Sequence, residues 1–154
     1  MDDVRFDEHR PAGHHPERPE RLDAARSGLE LGLPREVRRT LVARRAAERD
    51  LERVHGGGYV PALSRALRTG VGHFDADTYF SPGSEDAAFV AAGGAIELAR
   101  SLMRDEFDAG IALLRPPGHH ATPRRPMGFC LMNNIALAAT AALDAGAARV
   151  AIVD

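Results

Sequence analysis

The chain has 154 residues, room for one domain, and its 44% hydrophobic and 27% charged residues are ordinary for a soluble globular protein. A formal net charge of −2 leaves no basic footprint for nucleic acid, and the Arg-rich tract from Arg35 to Arg53 is interleaved with acidic residues, as on a solvated helical face. The single cysteine excludes an internal disulfide, no signal-peptide pattern opens the chain and no apolar run reaches bilayer length, so a cytoplasmic protein with neither membrane nor nucleic-acid partners is expected.

Val4 to Glu8 reads as a short first strand and Pro11 to Pro16 as a loop. His14, His15 and Glu17 have the look of metal ligands, but without a partner cluster they read as surface-loop polarity. Glu17 to Gly32 is expected to be a helix, with Pro19 tolerated in its first turn and Gly32-Leu33-Pro34 ending it. A short strand over Thr40 to Ala43 and a helix from about Ala46 to Val54 follow, then Gly56-Gly57-Gly58 as a stop and a new helix from Tyr59 to Arg68. His55, just before the glycines, reads as a packed histidine whose hydrogen bonds are satisfied.

Val71 to Ser84 is a long polar loop, of a length that is either functional or disordered. An Ala-rich helix is expected from Ser84 to about Met103, its Gly93-Gly94 pair marking close packing against a sheet. Ala109 to Leu114 reads as a buried strand, Asn133 to Ala145 as a helix stopped by Gly146, and Arg149 to Val153 as a second buried strand. Strand, loop, helix, strand predicts a right-handed parallel βαβ unit.

The densest chemistry lies in the loop of that unit, Arg115 to Asn134. Neighbouring side chains of a strand point to opposite faces, so His119 and His120 share a site only where the backbone turns, and Gly118 permits that turn. Pro116 and Pro117 stiffen the approach. Loops at the carboxyl ends of strands in an α/β scaffold are where catalytic groups usually sit.

Arg115-Pro-Pro-Gly-His-His-Ala121 followed by Met127-Gly-Phe-Cys-Leu-Met-Asn-Asn134 resembles the signature of the histone deacetylase family, which includes bacterial acetylpolyamine amidohydrolases. His15-Pro-Glu-Arg-Pro-Glu-Arg-Leu22, Arg53-Val-His55, Asp77-Thr78 with Ser81-Pro-Gly-Ser84, and Val150-Ala-Ile-Val-Asp154 resemble further family segments in the same order, closest to the class II-like branch. The resemblance implies an α/β, three-layer arginase/deacetylase-like fold with a mainly parallel sheet. An arginase-like enzyme shares the scaffold, but its metal segments do not resemble these motifs. Family catalytic domains are longer than this chain, which stops straight after an apolar run, so residues 1–154 are expected to be the N-terminal part of one catalytic domain, cut at the end of a central strand. Uncovered apolar faces would then be met by the missing C-terminal half or by a second copy of the chain.

The resemblance also implies roles. His120 corresponds to a general acid/base and His119 to its charge-tuning neighbour, with Asp154 as the carboxylate that hydrogen-bonds His119 and also helps bind a structural potassium ion. Gly128, Phe129 and Cys130 correspond to the space, wall and base of a narrow tunnel for the acyl-lysine stem. Asp77 corresponds either to a rim aspartate that accepts hydrogen bonds from substrate amides or to an Asx turn or cap, and Arg21 either to an arginine near an internal channel or to a helix-surface arginine. Zinc is expected for the complete domain, but its ligands have no counterparts here, and His9, His14, His15, His55 and His73 show no zinc-binding spacing. The expected activity is removal of acetyl groups from acetyl-lysine or acetylated polyamines, with this chain inactive alone. The alternatives are a short non-catalytic binding remnant and one half of a split enzyme.

Overall fold

The structure is a computed structural model and describes residues 1–154. Five α-helices and one small hairpin carry the regular structure: α1 (Glu20–Gly32), α2 (Glu48–Leu51), α3 (Tyr59–Leu67), β1 (Gly72–His73), β2 (Tyr79–Phe80), α4 (Ser84–Met103) and α5 (Asn134–Asp144). No helix is long and apolar enough to cross a membrane.

The architecture is built around α4. Its run of alanines and glycines presents little side-chain bulk, so neighbours approach from several sides, and Ala87 through Ile96 are all buried. One side joins Leu63 and Leu67 of α3 and Leu137 and Ala141 of α5 in the larger core, together with Leu131 and Met132. The other side meets Phe6, Leu22 and Ala43 in a second, smaller core. Gly93 marks a close approach, as its sequence context suggests, but the neighbour is the extended segment before α2 and no sheet: a β-carbon there would collide with the Arg44 carbonyl. The Ala46 N–H donates to Phe89 O at 2.9 Å beside it.

Several expected elements take another form. Val4–Glu8 is a 3₁₀ helix and no strand, because the Asp3 carboxylate accepts from the Arg5 N–H and caps it. Thr40 to Ala43 forms no strand, and the helix expected over residues 46–54 shrinks to the four residues of α2 followed by turns. The loop from Val71 to Ser84 contains the antiparallel pair of β1 and β2, with His73 opposite Tyr79.

The two segments expected as parallel strands, 109–114 and 149–153, run without a ladder between them. Both line a cleft of about 690 Å³ together with residues of α4 and α5, the first through Gly110, Ala112 and Leu114 and the second through Ile152 and Val153. On its outer side the first segment meets the start of the chain, where the Leu113 N–H donates to Met1 O at 3.0 Å and the Met1 amino group donates to Ile111 O at 2.6 Å.

Candidate active site at the paired histidines

Arg115 anchors the loop from below. The residue is 2% exposed, and its guanidinium donates to Phe6 O at 2.7 Å, His9 O at 2.6 Å and both carboxylate oxygens of Glu17, which is fully buried. The Tyr79 hydroxyl donates to Glu17 Oε2 at 2.6 Å and accepts from Arg115 at 3.1 Å. Burial alone would raise the Glu17 pKa, but the hydrogen bonds from Arg115 and Tyr79 outweigh it and hold the carboxyl below its ordinary value. The His9 ring stacks on Tyr79 with centroids 4.3 Å apart, and burial pushes its pKa down to about 4. A buried guanidinium and carboxylate are tolerable because nearly every polar atom around them is paired. The surface-loop reading therefore fails for Glu17, whose partner stands 98 residues away with no local signal.

The top of the loop is clamped by the start of α5. Asn133 caps that helix by accepting from the Ala136 N–H at 3.0 Å, and its amide donates to Ala121 O at 2.8 Å and His119 O at 3.3 Å. The Asn134 amide donates to Pro116 O at 3.2 Å, and the Ile135 N–H donates to Gly118 O at 3.0 Å. Gly118 fits against Asn134 so closely that a β-carbon would clash with its side chain.

His119 and His120 emerge exposed from this clamp with ring centroids 4.0 Å apart and planes tilted by 46°. Beside them Met127 to Cys130 makes a two-residue turn, closed by Met127 N–H to Cys130 O at 3.1 Å and Cys130 N–H to Met127 O at 3.0 Å. Its central residues Gly128 and Phe129 have φ of 56° and 68°, the geometry of a type I′ turn, which glycine accepts freely and phenylalanine at a cost of about 1–3 kcal/mol. Gly128 is needed for space as well: a β-carbon would lie 2.7 Å from the His120 ring. Cys130 is fully buried, donates to Gly128 O at 3.2 Å and accepts from the His119 N–H at 3.5 Å. Burial pushes its thiol pKa up, so it is a packed protonated group and no nucleophile.

Phe129 is half-buried, and its N–H donates to Thr78 Oγ1 at 3.1 Å, which ties the turn to the β1–β2 hairpin. The Asx turn in that hairpin belongs to Asp75, whose carboxylate accepts from the N–H groups of Asp77 and Thr78. Asp77 is left with an exposed side chain.

Asp154 lines the same cleft as His119 but is exposed and makes no hydrogen bond to it, because the segment that carries it has no ladder to fix its position. Arg21 is exposed on α1, as a helix-surface arginine would be. His55 is the packing histidine expected, 1% exposed and stacked on Tyr59, but it is only half satisfied: Nε2 accepts from the Asn133 N–H at 3.1 Å, while the buried Nδ1 has no partner. No three His, Cys, Asp or Glu side chains converge as a metal site, so the residues present do not fit a zinc ion.

A family model described as histone deacetylase domain matches residues 15–154. Histone deacetylase 15 of Arabidopsis thaliana is 41% identical over 147 residues, covering 91% of this chain and 26% of that protein. A probable deacetylase of Archaeoglobus fulgidus is 38% identical over 95% of this chain and 41% of its own length, and the polyamine deacetylase HDAC10 of Homo sapiens is 39% identical over 90% and 22%. The crystal structure of the HDA15 HD domain superposes with a TM-score of 0.85 at 38% identity, covering 94% of this chain and 43% of that one. The arginase/deacetylase architecture read from the sequence is therefore the architecture of the chain. The chain spans between about a fifth and two fifths of the length of these curated relatives.

Proposed function

The chain belongs to the histone deacetylase family, and from that premise we propose that it carries the histidine pair and part of the substrate tunnel of an amidohydrolase that removes acetyl groups from acetyl-lysine or acetylated polyamines. The observation that carries this reading is the exposed, closely spaced ring pair of His119 and His120, with Gly128 leaving the room that the His120 ring occupies.

Hydrolysis of an acetamide forms a bond from water oxygen to the acetyl carbon, breaks the C–N bond and moves a proton from that water to the departing amine. An imidazole takes and gives a proton near neutral pH, so His120 is assigned the transfer and His119, in ring contact, shares the charge. Phe129 forms one wall beside the acylated stem, and Asp77 accepts hydrogen bonds from substrate N–H groups at the rim. The clamp from Asn133 and Asn134 and the buried Arg115–Glu17 pair hold this geometry before substrate arrives.

The zinc and potassium implied by the resemblance are proposed for the complete domain only. These residues gather no such set, so no step here runs through a metal. The 154-residue chain on its own is accordingly proposed not to turn over substrate. The test is to assay this chain and the complete gene product, each with added zinc, on an acetyl-lysine peptide and on an acetylated polyamine. Activity confined to the complete product supports the reading, and absence of hydrolysis by both removes it.

A further inference from the structure

We propose that His15 is a positioning residue that fixes the spacing between the tunnel wall and the substrate rim, an inference that rests on the deacetylase reading above. Its ring meets the Phe129 ring edge-on with centroids 4.9 Å apart, and meets Tyr79 edge-on at 4.8 Å. Its Nε2 lies 3.1 Å from the backbone carbonyl of Asp77. Its Nδ1 accepts from the Glu17 N–H at 3.0 Å.

The contact at Nε2 assigns one of the ring's protons. The Asp77 carbonyl can only accept, so Nε2 carries a hydrogen and donates it there, while Nδ1 lies 3.0 Å from both the N–H and the carbonyl oxygen of Glu17. One half-buried imidazole therefore touches the wall residue, the rim residue and the buried Glu17–Tyr79 network.

Phe129 needs such support, because a non-glycine residue at φ 68° keeps that conformation only where its surroundings impose it. Thr78 holds its backbone through the 3.1 Å hydrogen bond, and the His15 ring holds its side chain. Asp77 is exposed and its carboxylate has one weak partner, the Thr78 hydroxyl at 3.4 Å, so the His15 bond to its carbonyl is the firmer restraint on the rim. Ring contact and hydrogen bond act on different parts of a substrate. The wall grips the acylated stem, and the rim grips amides found only in a peptide.

The experiment uses the complete gene product and the variants His15→Ala and His15→Phe, with steady-state kinetics on an acetyl-lysine peptide and on a free acetylated polyamine, and a thermal midpoint for each variant. His15→Ala is expected to raise KM about five- to tenfold on both substrates, as for loss of one hydrogen bond and one ring contact, with a smaller change in kcat. His15→Phe keeps a ring against Phe129 without the donor, so KM recovers on the polyamine and stays raised on the peptide. Unchanged KM in His15→Ala, or equal loss of kcat on both substrates with a lowered midpoint that His15→Phe does not relieve, would overturn the role of His15. Absence of hydrolysis by the unsubstituted product would overturn the deacetylase reading itself.

Discussion

Glu17 and Arg115 meet in the interior from positions 98 residues apart: the Arg115 Nη2 lies 3.0 Å from Glu17 Oε2 and its Nε contacts Oε1, with both side chains withdrawn from water. The pair joins the segment before α1 to the root of the histidine loop. It converts a surface-like His-Pro-Glu sequence into the foundation of the site.

Removal of one partner leaves the other charge buried and unpaired. Glu17→Ala is expected to destabilise the fold by about 3–5 kcal/mol, and joint replacement of Glu17 and Arg115 by apolar residues of similar volume by less than that. Urea unfolding of the single and double variants measures both. A Glu17→Ala loss below the scatter of the measurement would contradict the arrangement.

Acid should loosen the same region. The His9 pKa is lowered from 6.5 to about 4 by burial, so its contribution is complete above about 6.5, where both states are neutral, and is lost as pH falls toward 4 because the unfolded chain takes up the proton first. Glu17 is also held below its ordinary value of 4.5, and its contribution disappears as pH falls below that. Both effects have the same sign. The loss at His9 amounts to about 3 kcal/mol at most, and His9→Gln should flatten the stability profile between pH 6.5 and 4 in thermal melts.

Gly128→Ala tests the turn beneath His120. The new methyl faces both a φ of 56° and the His120 ring at 2.7 Å, so the ring must move. A fall of at least about tenfold in kcat of the complete gene product is expected, since misplacement of a catalytic group by about 1 Å can cost a hundredfold. Retention of full activity would mean that His120 tolerates displacement and is not placed for proton transfer.

The open cleft has a consequence for the isolated chain. Ile111 is 47% exposed, Ile152 52% and Val153 96%, and the backbone of 149–153 has no ladder partner. Extended unpaired edges beside apolar surface associate. The 154-residue chain should bind a hydrophobic dye and sediment as more than a monomer. A monomer with a sharp thermal transition and no dye binding would contradict this.

Much of the frame was legible because it is local. The caps and glycine stops around α3, α4 and α5 bound each helix to within about two residues, and the Pro-Pro-Gly-His-His and Gly-Phe-Cys segments, close in sequence, meet where Gly128 packs against His120. Illegible parts depend on partners distant in sequence. Glu17, His9, Tyr79 and His15 owe their roles to Arg115, Asp77 and Phe129, and no spacing rule connects residue 17 with residue 115. The Val4–Glu8 3₁₀ helix was hidden for a smaller reason: the Asp3 side chain settles it, and alternation of Val4 and Phe6 reads equally well as a strand. The two segments lining the cleft, which form no ladder with each other, have the apolar content of strands, but a strand's state depends on its neighbours as much as on its own sequence.

The measurement that bears most directly on the account is the rate of acetyl-lysine hydrolysis by the complete gene product with His120 intact and with His120→Ala. The His120 ring is exposed, so its removal should leave the fold unchanged. A fall of about 10²- to 10⁴-fold in kcat at similar KM is the expected result for loss of a general acid/base. A His120→Ala variant that retains kcat would contradict the assignment of proton transfer to this pair.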